Sequence, residues 1–362
     1  MVEQESFQIF NDAIKTEATR KFYIFYIKKF LSYTKARDYD SLVKFGSSEL
    51  EKKVIDYVRY LKRKNEAGII SPNGFRGRLA PIELFFDQND IMINWKKIKR
   101  MYPRIEKKKG DLPYTLKDLK ALMKNASKPR NKAVLAFFSS TGIRPEAVIS
   151  LEMRHIKEMS DNCASVLIYE DDTEEYPVFL TPETWNYLKE YFKQRETNGE
   201  NLTANSPIFR NDFAETVAWK NIKPMTTNGL YMMMKPVLEK TKVRGNLQQG
   251  KVRYSKASFT GFRKWYETTL DNILDINPNI VEKLMGHRND LRGVYYNPDL
   301  ETRFNEFKKA IPKLTIDDSI RLEEELKNKN EQFHDLESDK DRRMDSLEIM
   351  IHELAKRLEA KS

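Results

Sequence analysis

The spacing of the apolar residues constrains this chain more than any other feature. It keeps the helical period almost throughout and shows a strand-and-turn pattern in one segment. In TEATRKFYIFYIKKFLSYT (16–34), Phe22, Tyr26 and Phe30 step by four, with Ile27 and Leu31 beside them, the stripe a helix needs in order to bury one face. Segment 49–64 repeats the pattern with Leu50, Val54, Val58 and Leu61, and a third helix is expected over 75–88, entered through the turn-forming Ser71-Pro72-Asn73-Gly74. Helical spacing returns from Thr115, a capping residue, to about 155, then over 182–196, 225–240, 256–273, 278–285 and 299–310. The exception is CASVLIYEDDTEEYPVFL (163–180), where Val166 and Ile168, then Tyr176, Val178 and Phe179, flank an acidic turn. That is the pattern of a β-hairpin. The expected fold is mainly α with one small β-hairpin or sheet.

At 362 residues the chain exceeds one ordinary core. A helical domain is expected over 1–95, a basic linker over 96–114, a second domain over 115–316 and a tail over 317–362. The stretch KKIKRMYPRIEKKK (96–109) holds eight basic residues and one acid. Lys96, Lys97, Lys99, Arg100, Lys107, Lys108 and Lys109 are therefore candidates to track a phosphate backbone, releasing counterions as they bind. In the tail, Met344, Leu347, Ile351, Leu354 and Leu358 step by 3, 4, 3 and 4, and Phe333 and Leu326 stay in register. Polar Asn330, Glu337 and Lys340 hold the other core positions. The heptad seam predicts a self-associating coiled coil, with a short helical hairpin folded onto the body as the alternative.

Lysine and arginine outnumber aspartate and glutamate by 64 to 54, a net charge of +10, which favours a polyanionic partner, nucleic acid first. A single cysteine excludes an intrachain disulfide framework and a cysteine-based zinc cluster, and four histidines give little material for another metal site. No metal or cofactor is expected. The opening MVEQESFQIFND has no secretory pattern, and no apolar run approaches the roughly 20 residues that span a bilayer. A reducing, cytoplasmic setting without membrane attachment is expected, nucleoid-associated when the chain is on DNA.

Three short stretches carry the chemistry. In SSTGIRPEAVISLEMRHI (139–156), Thr141-Gly142 breaks an apolar helix and Arg144 opens the next, beside freed backbone N–H groups that suit a phosphate. In KASFTGFRKWYETTL (256–270), Arg263 follows Thr260 by three residues, on one helical face. In EKLMGHRNDLRGVYYNPD (282–299), a helix end meets Gly286 and His287, and eight and nine residues later come Tyr295 and Tyr296, before the helix-halting Asn297-Pro298.

Together these stretches resemble the tyrosine recombinases, the family of phage integrases, Xer recombinases and Cre. The family pattern is T-G-x-R, a lysine on a β-hairpin, H-x-x-R, G-H and a nucleophilic tyrosine; Arg144, Arg263, His287 and a tyrosine at 295 or 296 match in order. The resemblance is nearest to the archaeal branch, through a tyrosine three residues before a proline and an ending like KAIPKLTID (309–317). It covers 115–317 well and 15–95 more loosely, as a helical core-binding domain. It implies an enzyme that cuts and rejoins double-stranded DNA attachment sites through a 3′-phosphotyrosine, as a tetramer on DNA and in the service of a virus or mobile element. Tyr295 is the first choice of nucleophile by its distance from the proline, and Tyr296 the alternative by its nine-residue spacing from His287. Two arginines would clamp the charge on the non-bridging oxygens, and His287 would donate to the phosphate or accept the tyrosine proton.

Two positions depart from the family. Thr260 stands where a histidine or lysine is usual, and a hydroxyl does not titrate near neutrality. Segment 162–180 has no lysine; Glu170, Asp171, Asp172, Glu174 and Glu175 crowd the turn instead, which is expected to face away from DNA. Lys157 and Lys256 are the candidates for the missing general acid. The same departures motivate a second reading, a non-catalytic DNA-binding protein on a decayed recombinase scaffold. A third keeps the chemistry but resolves chromosome dimers, as Xer proteins do.

Overall fold

The computed structural model describes residues 5–105, 112–211, 222–245, 254–287 and 296–323, with further positions between 326 and 350. Lys107, Lys108, Lys109, Tyr295, Phe333, Ile351, Leu354 and Leu358 lie outside the described residues. The chain divides into two compact units, Met1–Lys108 and Lys109–Ser362.

The first unit is helical: α1 (Glu5–Asp12), α2 (Glu17–Thr34), α3 (Tyr39–Val43), α4 (Ser47–Glu66), α5 (Phe75–Gln88) and α6 (Trp95–Lys99). Thr16 caps α2 by accepting from the Thr19 backbone N–H, satisfying one of the donors a helix start leaves free. α4 buries Leu50, Val54, Tyr57, Val58 and Leu61, the expected stripe with one added ring. α2 turns a different face inward than its aromatic steps suggest. Ile27 and Phe30 are fully buried, whereas Phe22 and Phe25 are exposed. The stretch expected to begin the linker folds as α6, whose Trp95 and Ile98 close the same core.

In the second unit α7 (Leu116–Asn125), capped by a reciprocal Thr115–Asp118 box, leads into α8 (Pro129–Thr141). α8 is apolar on all sides and buried from Ala133 to Thr141, as befits a central helix. A three-stranded antiparallel sheet follows, β1 (Ile156–Glu158), β2 (Ala164–Ile168) and β3 (Tyr176–Leu180), with Ile156 opposite Val166 and Ile168 opposite Tyr176. The hairpin is the expected one; the three-residue β1 on its edge was not. Ser140 joins helix to sheet, donating to the Phe179 carbonyl at 3.2 Å and accepting from the Thr181 N–H at 3.0 Å. Then come α9 (Pro182–Thr197), α10 (Thr227–Thr241), α11 (Thr260–Asp271), α12 (Pro278–Leu284), α13 (Leu300–Lys308) and α14 (Ile311–Leu314).

After α14 the chain is still part of the body. Buried Glu183 of α9 accepts the backbone N–H groups of Ile316 and Asp317 at 2.7 and 3.0 Å. Residues 318–323 and the described positions beyond them are helical. There Leu322, Leu326, Leu336, Met344, Leu347 and Met350 are all exposed.

Candidate active site

The three motif stretches meet at one guanidinium. α8 ends at Gly142, whose φ of +59° is left-handed and whose added Cβ would lie 2.7 Å from the Tyr266 ring, so glycine alone fits there. Two residues on, Arg144 caps a short 3₁₀ helix, Pro145–Ser150. α11 buries Phe262 and Tyr266 and leaves Arg263 half-buried. From there Arg263 Nη1 donates to the Gly142 carbonyl at 2.9 Å, and Nη2 donates to the Met285 carbonyl at 2.7 Å and to His287 Nε2 at 2.8 Å. A single side chain thus ties the first motif to the third.

That bond fixes the histidine tautomer. A guanidinium has donors only, so Nε2 must accept, and a neutral imidazole then carries its proton on Nδ1. Nδ1 donates to Glu282 Oε2 at 2.7 Å. The turn between them closes through the His287 N–H to the Glu282 carbonyl at 3.0 Å. Gly286 makes it possible, with a φ of +60° and a virtual Cβ only 2.4 Å from the Tyr176 ring.

Arg144 completes a cationic patch. Its Nη1 is buried without a hydrogen-bond partner. Burial lowers the pKa of Arg263 and the charge of Arg144 lowers it further, which places the two guanidiniums within electrostatic reach of each other. Burial likewise raises Tyr176, against the pull of Arg263 and Arg144. Two half-buried arginines, one with an open donor, are built to receive an anion with several oxygens.

Tyr176 and Glu282 are site residues that sequence reasoning missed. Tyr176 had been read only as part of the hairpin pattern. Glu282 lies five residues before His287, across a helix end, where helical spacing rules do not apply; the left-handed glycine at 286 was the available signal.

The acidic turn is held by its own side chains. Asp172 accepts the Glu174 N–H at 2.8 Å, Glu175 accepts the Asp171 N–H at 2.9 Å, and Glu170 pairs with Arg154 at 2.6 Å and His155 at 3.1 Å. The residues that bound it, Tyr169 and Tyr176, both feel the charge of Arg144. These two flanking rings, and not the acids between them, are what lies within electrostatic reach of Arg144. Among the described residues no hydrogen bond or ion pair ties either lysine candidate to the cationic patch. Lys157 is exposed on β1, and Lys256 is paired with Asp118 at 2.5 Å. Thr260 is exposed at the first residue of α11.

Tyr296 stands apart. Its hydroxyl accepts from Asn277 Nδ2 at 3.2 Å, and Asn277 caps the start of α12. Gly286 and His287 follow the other end, roughly 12 Å along the axis. In the basic stretch Lys96 and Arg100 are exposed, Lys97 pairs with Glu51 at 2.7 Å, and Lys99 pairs with Glu83. Among the described residues no group of three or more potential metal ligands occurs, and no helix is long and apolar enough to cross a membrane.

No family model and no curated protein matches the sequence. Solved structures do. The XerH site-specific recombinase in its post-cleavage complex with a palindromic difH substrate aligns with a TM-score of 0.50 at 14% identity, over 75% of this chain and 74% of that one. A lambda integrase dimer bound to a COC′ core site aligns at 0.49 and 13% identity, over 82% and 93%. The XerA recombinase aligns at 0.38 and 16% identity, over 83% and 96%. At 14% identity the XerH match speaks to architecture alone: the chain has the tyrosine recombinase fold.

Proposed function

We propose that this protein is a tyrosine-type site-specific DNA recombinase, an integrase that inserts or excises a mobile element. The observation that carries the reading is the Arg263 cluster, which joins three distant motifs and leaves an Arg144 donor buried and unused. A scissile phosphate fills that place. Its non-bridging oxygens gain charge as the phosphate is attacked in line, and two planar guanidiniums stabilise that charge without changing protonation. Tyr295 is the nucleophile in this reading, supported by the engagement of Tyr296 with Asn277 at the opposite end of α12. The lone pair on His287 Nε2, freed from Arg263 as the phosphate binds, takes the phenol proton. The tyrosine oxygen bonds to phosphorus as the bond to the 5′ oxygen breaks, that oxygen leaves as a hydroxyl by taking a proton from water, and the covalent link keeps the energy needed for rejoining.

Double-stranded DNA is the partner in this reading, in line with the palindromic difH substrate bound in the XerH complex. The exposed apolar positions of the tail would serve assembly of the active tetramer. The basic residues from Lys96 to Lys109 would lie along the backbone between a core-binding domain and a catalytic one.

A nicked suicide substrate tests the reading. An active enzyme leaves a covalent protein–DNA adduct that Tyr295→Phe abolishes and Tyr296→Phe retains, with the DNA-linked peptide identified by mass spectrometry. The hairpin without a lysine favours one other reading, a DNA-binding protein on a decayed scaffold. That protein would shift the duplex on a gel and form no adduct at all.

A further inference from the structure

The first unit contains a cleft on its surface. α2, α4 and the start of α5 enclose about 640 Å³, a volume ordinary for a small-ligand site. Its walls supply five aromatic rings and four cations, with no carboxylate among them. Three of the cations lie on rings: Lys29 is 4.2 Å from the centre of Phe25, Lys64 is 4.6 Å from Tyr60, and Arg78 is 5.6 Å from Tyr26. Asp56, which acts on Tyr33 from nearby, is itself paired with Arg59 at 3.0 Å. At the rim Phe25 is 51% exposed and Ile69 is 68% exposed, so apolar faces stay open to solvent there. The Ile69 loop is fixed by N–H bonds of Ile69 and Ile70 to the Lys64 carbonyl and by Asn65 Nδ2 donating to the Ile70 carbonyl at 2.8 Å.

Tyr33, Tyr57 and Tyr60 pack on one another at the floor and Phe25 stays open at the rim. Lysines alone would suit the outside of a duplex, but a duplex keeps its base faces stacked and would leave that open ring unused. Rings interleaved with cations match the two surfaces of a nucleotide that has left the stack, a flat π face and a phosphate. We propose that this cleft binds an unstacked nucleotide, with the base against Phe25 and Tyr60 and the phosphate on Lys29 and Lys64. The proposal rests on the reading that the chain acts on DNA. Its occupant is either an unpaired base of a DNA strand or a free nucleotide.

Fluorescence anisotropy on the full chain separates these sources, using a blunt duplex, the same duplex with a short single-stranded tail, and dAMP. The tailed probe is expected to bind roughly ten-fold more tightly than the blunt one. That preference disappears in Phe25→Ala/Tyr60→Ala and survives in Tyr60→Phe, whose ring is kept. Saturable dAMP binding lost in the alanine variant, without a tail preference, assigns the cleft to free nucleotides. Equal affinity for both duplexes with no dAMP binding overturns the proposal, as does a tail preference that persists in the alanine variant. Failure to bind either duplex would instead remove the DNA reading itself. Circular dichroism of each variant guards against loss of fold.

Discussion

Arg263 satisfies three acceptors drawn from two separate chain segments, and the fork of its guanidinium is what makes that possible. A lysine keeps the charge and loses the fork. Arg263→Lys is expected to slow adduct formation at least about a hundred-fold, the scale of losing a preorganised transition-state donor. It should also lower the melting temperature, because the Gly142 and Met285 carbonyls lose partners. Single-turnover cleavage and a thermal melt check both. Glu282 acts at one remove, through the tautomer. Glu282→Gln lets an amide N–H face the imidazole and competes for the lone pair on Nδ1, so a share of His287 would carry its proton on Nε2. Cleavage is expected to fall roughly ten-fold or more, and ¹⁵N spectra of the imidazole should show the tautomers shifting; unchanged spectra would reduce Glu282 to a packing residue. Arg144, Arg263 and His287 were legible because each stands in a short motif. Glu282 and Tyr176 were not, because their roles depend on one glycine, Gly286, and a turn that no periodicity describes.

Among elements, long amphipathic helices were the easiest to anticipate. α4 and α5 fall close to their expected ranges because their apolar steps continue for several turns. α1, α3 and β1 are too short to show a period. α2 misled because its rings suggested one apolar face, whereas Phe22 and Phe25 stay in solvent. The loop after α9 hides another feature, a buried triad in which Glu200 accepts from Arg195 at 3.0 Å and from Arg210 at 2.9 Å. Burial acts to raise the Glu200 carboxyl, but the hydrogen bonds from Arg195 and Arg210 outweigh it and hold the group below its usual range. The folded value lies below the unfolded one, so the stabilisation is complete above the unfolded pKa and is lost as pH falls through the folded one. Glu200→Gln strands two buried cations and is expected to cost about 3 kcal/mol or more near neutrality. The difference from the parent should shrink on acidification below the usual carboxylate range. Melts of both proteins across that interval decide it, and a constant gap would contradict the assignment.

At the scale of the molecule, the body of the second unit ends at Asp317, where Glu183 takes the last two backbone N–H groups. Among the described residues, removing 318–362 sacrifices exposed apolar positions, the half-buried Ile320 and surface ion pairs such as Lys120–Asp318, so the melting temperature should move by no more than a few degrees. Sedimentation should show a lower oligomer order with DNA binding intact, and unchanged assembly would discard the tail as an association element. Cutting after Ala310 is a different matter. It removes buried Ile311, Leu314 and Ile316 and leaves the Glu183 carboxylate without its donors, and unit two should no longer melt cooperatively.

The knot at Arg263 also bears on safety. Its acceptors come from the end of one helix and the end of another, so loosening either one pulls the guanidinium out of place while the first unit, with a core of its own, stays folded. For a protein proposed to break chromosomes, this is an interlock: a copy damaged by heat or proteolysis would go on clinging to DNA yet be unable to nick it.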